Sequence, residues 1–383
     1  MEQWNAVKTN FFGQGALALL TAELKKRKYR RALMVTDSFL YENGTADKVG
    51  RHILDAGMEY AIYYEVEANP SVEIVEACTY AAQELEVDVL VAVGGGSSID
   101  TAKAVSILCV NGGRIGDYEG VGKSKKAGIP IIAVNTTAGT GAEVTSFYVI
   151  TDRAKHSKMC MVDTNCMVEI AVNDTDLMVS MPPALTAATG MDALTHAMEA
   201  ILTRGATPLT DKDAFWAIRQ IKEYLPIAVK DGNHTLARER MAYAQYAAGM
   251  AFSNAGLGMV HAMAHAMGGF YNLPHGVCNA VLLPHVLHWN GQHPECASGF
   301  AKLAEAFEIT ARNQKQAVSA VVEAVKHLAG EVGIPPLLNV DLKPGDIEKL
   351  AELAMQDTCM PGNCKQPQKE VLVEIYRKIL IPR

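Results

Sequence analysis

Continuous apolar runs alternate with helical stretches through the first 180 residues, and this alternation constrains the fold more than any other feature of the chain. Four runs predict buried strands: RRALMVTD (30–37), AIYYEVEANP (61–70), VDVLVAVGGG (87–96) and IPIIAVNTTAG (129–139). The stretches between them, such as SVEIVEACTYAAQELE (71–86), space their apolar residues as helices do. Strands that alternate with helices form βαβ units, and fully apolar strands suit a sheet covered on both faces. The pattern therefore predicts an α/β domain with a mostly parallel sheet.

The second half of the chain has a different pattern, rich in Ala, Met and Leu at helical spacing. Helices are predicted for ALTHAMEAILTR, KDAFWAIRQIKEYL, ARERMAYAQYAAGMAF, KQAVSAVVEAVKHLAGEVG and KEVLVEIYRKIL. Turn signals such as NLPHG and GIPP separate them. We therefore predict two domains, an α/β domain over residues 1–180 and a helical domain over residues 181–383.

Composition and charge exclude several classes of protein. The 383 residues are 49% hydrophobic and 20% charged, which is typical of a globular protein with a sizeable core. The formal net charge is −7 and no basic stripe is present, so nucleic acid is not an expected partner. No apolar run is long enough to span a bilayer, and the first residues lack the pattern of a secretory signal, so we expect a cytoplasmic protein.

The eight cysteines form no CxxC pair. In a long chain without a secretory signal, this scatter favours free thiols over disulfides. Cys359 and Cys364 are close enough in sequence to leave a pair of metal ligands open as an alternative.

Three loops that follow predicted strands combine glycines with polar side chains. In VLVAVGGGSSIDTAKA, glycines allow close approach to a ligand, and Ser97 and Ser98 lie where a helix would begin and favour a phosphate. Asp37 ends an earlier strand, where its carboxylate could bind a ribose diol or cap a helix. The third loop is NTTAGTGAEVTS (135–146). Each loop alone could be an ordinary turn, and GxGxxG is absent, but the three together favour a phosphate-bearing cofactor at the carboxyl ends of the strands.

Histidines at helical spacing mark the second half of the chain. Asp192 and His196 are four residues apart, as are His261 and His265, so each pair lies on one face of its predicted helix. His275 is predicted to open a loop. One pair could be ordinary packing, but two pairs on helices otherwise made of Ala and Met favour a site, because unpartnered buried imidazoles are costly. A carboxylate with imidazoles predicts a divalent metal such as Fe²⁺ or Zn²⁺, and HAMAH lacks the glutamate of the HExxH hydrolase motif.

A metal and a nucleotide on one chain predict hydride transfer. The metal would polarise an alcohol or carbonyl oxygen, and a nicotinamide would exchange the hydride. No thiolate ligands are evident near the histidine segments, so a cysteine-bound zinc site is not favoured.

The longest motifs resemble those of the iron-containing alcohol dehydrogenases, and the resemblance runs over nearly the whole chain. The motifs are GGGSSIDTAKA, NTTAGTGAEVT, LTAATGMDALTHAMEA and GMVHAMAHAMGGFYNLPHGVCNAVLLPH. The resemblance implies a dehydroquinate synthase-like fold, with a Rossmann-like α/β nucleotide-binding domain, a C-terminal helical metal-binding domain and an active site in the cleft between them. It also implies NAD and Fe²⁺ as cofactors, with Zn²⁺ as a possible substitute.

The resemblance further implies a role for individual residues. Four would hold the metal: Asp192, His196, His261 and His275. His265 matches a histidine near the substrate that is not a ligand, so it is a candidate for proton relay. The residues implied to contact the cofactor are Asp37, Asn69, Gly95, Gly96, Ser97, Asp100, Thr136, Thr137, Thr145, Phe147 and Lys158. An aspartate at position 37 favours NAD over NADP, because a 2′-phosphate would meet its charge.

Small primary alcohols or diols, or the matching aldehydes, are the substrates that the resemblance implies, and a dimer or larger homo-oligomer is the expected assembly. Phe147 and Phe252 are expected to line the substrate pocket, with Cys359 at its edge. The chain departs from many relatives at VTSF, where they carry MTRF, and at HAMGG, where they carry HQLGG. Ser146 and Ala266 are smaller and uncharged, so a different preferred alcohol is expected.

Two rival functions follow from the same residues. A lyase of the dehydroquinate synthase type also uses NAD and a metal, but it regenerates its cofactor and needs basic residues for a phosphorylated acid. The segments around the histidines are apolar and short of Arg and Lys, which argues against that lyase. A catalytically silent metal-binding or scaffolding protein is disfavoured by the complete set of four candidate ligands and three cofactor loops.

Overall fold

The computed structural model describes residues 4–383. The strands in this part of the chain are β1 (Thr9–Phe12), β2 (Arg31–Val35), β3 (Glu59–Tyr63), β4 (Val89–Gly94), β5 (Gly120–Val121), β6 (Ile131–Asn135), β7 (Phe147–Asp152), β8 (Ser157–Val162), β9 (Ile170–Asn173), β10 (Leu338–Val340) and β11 (Leu380–Pro382). The helices are α1 (Leu20–Arg27), α2 (Ser38–Glu42), α3 (Thr45–Asp55), α4 (Val72–Glu84), α5 (Gly96–Asn111), α6 (Pro183–Leu202), α7 (Pro208–Lys230), α8 (Thr235–Ala255), α9 (Met259–Tyr271), α10 (His275–Asn290), α11 (Ala297–Ala306), α12 (Gln314–Glu331), α13 (Asp346–Gln356) and α14 (Lys369–Ile379). Short 3₁₀ turns connect several of them.

A six-stranded sheet in the order β1-β9-β6-β4-β2-β3 forms the first half of the protein, and every pairing in it is parallel. Alternate residues of β2 point to opposite faces. Leu33 and Val35 pack into one apolar cluster, while Ala32 and Met34 pack into another. Both faces are therefore covered, as the apolar strands predict. The predicted α/β domain with a parallel sheet is confirmed.

The carboxyl ends of the central strands lie side by side, because parallel strands in register end at the same edge. Gly94 at the end of β4 pairs with Asn135 at the end of β6, and Val35 at the end of β2 pairs with Tyr63 at the end of β3. The polar loops predicted to bind a cofactor follow these ends. This edge is where ligands bind in open α/β sheets.

A separate three-stranded sheet, β5-β8-β7, carries an antiparallel hairpin that the sequence analysis did not predict. The hairpin turns through Arg153–His156, where His156 has a positive φ of 51°.

Strand β3 ends at Tyr63, so the predicted strand over residues 61–70 is wrong beyond that point.

Helices make up most of the second half, as predicted. Helices α6, α7 and α8 pack against one another, and α10 packs against α6, α9 and α12. Most of α6 is buried: every residue from Thr186 to Leu202 except Thr189 is buried, and α7, α8 and α10 pack against the helix. Strands β10 and β11 add a small parallel pair near the C-terminus. None of the helices among residues 4–383 is long and apolar enough to cross a membrane.

Two local predictions are wrong. His275 does not open a loop but begins helix α10: Asn272 ends α9 in the left-handed region, and Pro274 is the N-cap of α10. The cysteines are not all free, because Cys296 and Cys364, 68 residues apart, form a disulfide. The fold brings together two segments that no local sequence pattern links. The scatter of the cysteines along the chain therefore did not show that all of them are free. The disulfide also excludes Cys364 from the metal-ligand pair considered for it with Cys359.

Candidate active site

A cavity of about 120 Å³ lies between the carboxyl edge of the main sheet, the β7–β8 hairpin and the helices that carry the histidines. Its lining includes twelve of the predicted site residues: Asn69, Gly96, Ser97, Asp100, Thr145, Phe147, Lys158, Asp192, His196, His261, His265 and His275. Phe252 lines it as well. The structure therefore brings the predicted metal ligands and most of the predicted cofactor residues to one cavity.

Four predicted cofactor residues do not line this cavity: Asp37, Gly95, Thr136 and Thr137. They lie at the same edge of the sheet, in the loops that follow β2, β4 and β6. Asp37 is the N-cap of α2, and its Oδ1 accepts a hydrogen bond from the Leu40 N–H at 2.8 Å. This is the capping role that the sequence left open as the alternative to ribose binding.

The candidate metal ligands converge on one carboxylate oxygen. Oδ1 of Asp192 lies 3.6 Å from Nε2 of His275, 3.8 Å from Nε2 of His261 and 4.0 Å from Nε2 of His196. One ligand atom each from Asp192, His261 and His275 lies within 4.8 Å of the others, and His196 stands just outside this group. Ligands that bind one ion at about 2.1 Å stand roughly 3–4 Å apart, so the spacing fits a divalent cation.

The pKa directions at this cluster follow from its burial. Burial alone opposes the charge on Asp192, but the surrounding imidazoles, among them the hydrogen-bonded and positively charged His261, outweigh it and hold its pKa well below the ordinary value. Burial lowers the pKa of His196 to about 3 and also lowers that of His275. These two imidazoles are therefore neutral and have lone pairs available. Nδ1 of each is buried without a hydrogen-bond partner among the described residues. An ionised carboxylate with neutral imidazoles is a donor set that a divalent metal fits.

Glu199 orients His261 and was not predicted. Its Oε2 lies 2.7 Å from Nδ1 of His261, and its carboxylate also accepts backbone N–H bonds from Gly258 at 3.1 Å and Val260 at 2.7 Å. Burial opposes the charge on His261, but hydrogen bonds with Asp192 and Glu199 raise its pKa to about 9. Glu199 accepts the Nδ1–H of His261 and so holds Nε2 toward Asp192, where a bound metal would displace the Nε2 proton, as in many metal sites with an outer carboxylate.

Asn279 fills the centre of the cluster in this structure. Its Nδ2 donates to Oδ1 of Asp192 at 2.6 Å and lies 3.1 Å from Nε2 of both His261 and His275. The amide thus offers N–H groups to the atoms that would ligate a cation. Its own Oδ1 is buried without a partner among the described residues.

Gly276 explains how α10 comes close enough to α6 for this geometry. A Cβ on Gly276 would collide with the carbonyl oxygen of Ala188 on α6. Glycine lets the first turn of α10 pack directly on the α6 backbone, and this contact places His275 beside Asp192.

His265 has a different environment from the other histidines. Its Nδ1 lies 2.8 Å from Oδ2 of Asp357, whose other oxygen accepts the backbone N–H of Cys359 at 2.7 Å. Its ring stacks on His275 with the ring centroids 5.2 Å apart. His265 is therefore fixed at the cavity wall by Asp357, a residue that the sequence analysis did not identify.

The glycine turn after β4 is shaped by its neighbours. A Cβ on Gly95 would lie 2.7 Å from Cγ2 of Thr137, and one on Gly96 would lie 2.7 Å from Cγ2 of Thr140. Glycines are required here because the loops after β4 and β6 pack directly on each other. The N-terminus of the sixteen-residue helix α5 consequently opens at the cavity, where its free N–H groups favour an anion.

Polar contacts across the cavity join the two halves of the chain. Lys158 Nζ donates to Oδ1 of Asn69 at 2.8 Å, and Asn69 Nδ2 donates to Oδ1 of Asn272 at 2.7 Å. Burial lowers the pKa of Lys158. Burial also raises the pKa of Asp100 to about 6, although its Oδ2 accepts the Val149 N–H at 3.0 Å.

Lys103 supports the loop that carries two predicted cofactor residues. It is fully buried, and its Nζ donates to the carbonyl oxygens of Thr145 and Phe147, each at 2.7 Å. Phe147 packs edge-on against Phe252, and Phe252 stacks on His196 with the centroids 4.2 Å apart. The two aromatic rings therefore form an apolar wall beside the candidate metal ligands, as expected for a substrate pocket.

Comparison with known proteins identifies the class. Residues 8–175 match the family described as iron-containing alcohol dehydrogenase, and residues 186–380 match the C-terminal part of the Fe-containing alcohol dehydrogenase family. The chain belongs to the iron-containing alcohol dehydrogenase family. The resemblance stated from the sequence motifs is thereby confirmed, and so is the prediction of an oxidoreductase.

Particular relatives are similar over almost their full length. Lactaldehyde reductase of Escherichia coli (strain K12) is 44% identical over 96% of this chain and 97% of its own. NAD-dependent methanol dehydrogenase of Bacillus methanolicus is 41% identical over 97% of this chain and 100% of its own. The solved structure of a 1,3-propanediol oxidoreductase superposes with a TM-score of 0.92 at 38% identity, covering 98% of this chain and 99% of that chain.

Proposed function

We propose that this protein is an NAD-dependent alcohol dehydrogenase or aldehyde reductase for small primary alcohols or diols, such as ethanol, 1,2-propanediol (lactaldehyde in the reductive direction) and 1,3-propanediol. The observation that carries the proposal is the single cavity shared by the candidate metal ligands and the glycine turn of α5. The names of the similar proteins support the substrate class and the cofactor.

We assign the metal to Asp192, His196, His261 and His275, which would hold Fe²⁺, with Zn²⁺ as a possible substitute. A bound divalent ion supplies Lewis acidity toward the substrate oxygen. The chain's own residues do the rest: Phe147 and Phe252 exclude water beside the reacting carbon, and His265 accepts the alcohol proton with Asp357 fixing its ring.

NAD, which accepts the hydride, would lie along the carboxyl edge of the sheet. Its pyrophosphate would meet the N-terminus of α5 at Gly96 and Ser97, supported by Gly95 and the Thr136–Thr137 loop. Asn69, Lys158, Asp100 and the Thr145–Phe147 loop would contact the nicotinamide half, and Asp37 the ribose of the adenosine half.

The test is NADH formation from ethanol, 1,2-propanediol and 1,3-propanediol by metal-stripped protein, assayed anaerobically with Fe²⁺ or Zn²⁺ added back. We expect metal-dependent NADH release, and loss of both bound metal and turnover in His261→Ala. Folded protein that releases no NADH with any alcohol or metal would contradict the proposal.

Cofactor preference has its own test. Asp37→Ser removes the carboxylate but keeps an oxygen that can cap α2. We expect NADP use to rise relative to NAD, and an unchanged preference would show that Asp37 does not face the ribose. The domain division at residues 180 and 181, the homo-oligomeric state and the cytoplasmic location stay predictions, and size-exclusion chromatography with light scattering tests the second of them.

A further inference from the structure

Two buried thiols lie beside His265, apart from the Asp192 cluster. Cys160 is on β8, and Cys359 follows α13. Both are about as buried as His265, and both are free cysteines. One atom from each residue, the two sulfurs and a ring nitrogen of His265, lies within 4.8 Å of the other two. The residues come from three separate segments of the chain, so only the fold brings them together.

One carboxylate anchors two of these segments. Asp357 pairs with Nδ1 of His265 at 2.8 Å and accepts the backbone N–H of Cys359 at 2.7 Å. The neighbouring Thr358 donates its hydroxyl to the carbonyl oxygen of Cys160 at 3.2 Å. The sulfur–sulfur–nitrogen cluster is therefore held in place by the fold, and preorganisation lowers the cost of binding an ion.

The cluster can be reached from two sides. Cys160 lines the active-site cavity and also a second cavity of about 400 Å³. Asp357 and Glu119 line the second cavity, together with Lys155 and Lys349. A small ion can consequently reach Cys160 without passing through the substrate cavity.

The donor set selects a different kind of ion from the Asp192 cluster. Thiolates and imidazole suit thiophilic ions such as Zn²⁺, whereas a carboxylate with imidazoles also suits Fe²⁺. Two thiolates balance the charge of a divalent ion, and the remaining charge of Asp357 is shared by hydrogen bonds with His265 and the backbone N–H of Cys359. The neighbouring Cys160, together with burial, raises the pKa of the Cys359 thiol well above its ordinary value, so binding would release thiol protons.

We propose that Cys160, Cys359 and His265 form a second metal site that takes a thiophilic divalent ion such as Zn²⁺. An ion bound there engages His265, so that this residue no longer accepts a proton, and turnover stops. The inhibitory part rests on the proposed function of His265, whereas the existence of the site does not.

Cadmium is the probe for the site, because it prefers the same ligands as zinc and its thiolate complexes absorb in the ultraviolet. The full-length protein, kept anaerobic and without added reductant so that the Cys296–Cys364 disulfide stays intact, is titrated with Cd²⁺. We expect ultraviolet charge-transfer absorption that stops increasing once one Cd²⁺ ion per protein is bound to the thiolates. Cd²⁺ at the Asp192 cluster does not contribute to this signal, because that cluster has only oxygen and nitrogen ligands.

The controls decide which thiols bind. Cys160→Ala and Cys359→Ser should each lose most of the absorption, while Cys109→Ala, which removes a half-buried free thiol elsewhere, should keep it. Circular dichroism establishes that each variant is folded. Absence of the absorption in the wild type, or its persistence in folded Cys160→Ala, overturns the site.

Inhibition is measured separately. We expect Zn²⁺ to inhibit NADH formation by the Fe²⁺-loaded wild type at least tenfold more strongly than that by Cys160→Ala, with the inhibition of each protein expressed relative to its own turnover without Zn²⁺. Equal inhibition of the two proteins overturns the inhibitory role, since it would place the effect at the Asp192 cluster. A protein without turnover on any alcohol contradicts the proposed function, and the Cd²⁺ absorption still decides the second site.

Discussion

Glu199→Gln should weaken metal binding although Glu199 is not a candidate ligand. Glutamine offers one oxygen and one amide nitrogen where Glu199 offers two oxygens. If the oxygen faces His261, the amide nitrogen meets the N–H of Val260, which Oε1 accepts at 2.7 Å in the wild type. If the nitrogen faces His261, it donates to Nδ1, and the imidazole proton must move to Nε2, the atom that faces Asp192.

The size of the effect follows from these contacts. Either arrangement leaves a buried donor without an acceptor or gives His261 the wrong tautomer for a metal. Loss of such an outer partner weakens metal affinity by roughly 10- to 100-fold, which is about 1.4–2.7 kcal/mol. Glu199 also accepts the backbone N–H groups of Gly258 and Val260 at the start of α9. Because the substitution weakens these contacts, the free energy of unfolding of the metal-free protein should fall by roughly 1 kcal/mol.

The assay is competition for Zn²⁺ between the metal-stripped protein and a chromogenic chelator. Glu76→Gln, on the exposed face of α4, is the matched control and should bind Zn²⁺ as the wild type does. If folded Glu199→Gln binds Zn²⁺ within twofold of the wild type, Glu199 does not set the tautomer of His261, and the reasoning fails.

Two further predictions concern the free energy of unfolding, and a third concerns the number of free thiols. Asn279→Ala removes the amide that donates to Asp192 and contacts His261 and His275, so it should destabilise the metal-free protein by roughly 1–3 kcal/mol and the Zn²⁺-loaded protein by less, and equal shifts in melting temperature would contradict this. The pKa of Asp100 is raised in the folded state to about 6, so the folded protein binds more protons there than the unfolded chain and loses stability as pH rises from about 4 to 7. Relative to Asp100→Asn, the cofactor-free wild type should therefore lose up to about 3 kcal/mol over that range, since a pKa unit is worth about 1.4 kcal/mol, and parallel melting profiles would refute the assignment. Finally, the Cys296–Cys364 disulfide leaves six of the eight cysteines to react with a thiol reagent in denatured, unreduced protein, and a count of eight would contradict it.

Helical spacing predicted much of the candidate metal site, and one residue that was not predicted has the same kind of spacing. Asp192 and His196 were paired because they are four residues apart. Glu199 lies three residues further along the same helix and faces the same cluster, so the spacing that identified the candidate ligands could have identified it as well. Asn279 lies four residues after His275, but the mistaken loop prediction at His275 hid that relation.

Other parts of the fold had no local signal. Strands β1 and β9 are only four residues long and become strands by pairing with each other across the sequence. The β7–β8 hairpin turns through Arg153–His156, a polar segment without glycine or proline. Asp357 reaches His265 from 92 residues away, and a single aspartate in an irregular segment carries no pattern. These features depend on tertiary pairing, which periodicity cannot report.

The two halves of the protein carry the two groups of predicted site residues on different kinds of element. The candidate metal ligands lie on helices α6, α9 and α10, whose packing fixes each side chain, and Gly276 sets the distance between two of these helices by direct backbone contact. The predicted cofactor residues lie mostly on loops at the edge of the sheet, where backbone N–H groups can face a phosphate. Lys158 and Asn69 then connect these loops to Asn272 at the end of α9. A hydride transfer needs the substrate oxygen and the nicotinamide held at a fixed separation. In the proposed function the helices would hold the substrate oxygen through the metal and the loops would hold the nicotinamide, so these few polar contacts across the cavity would set that separation.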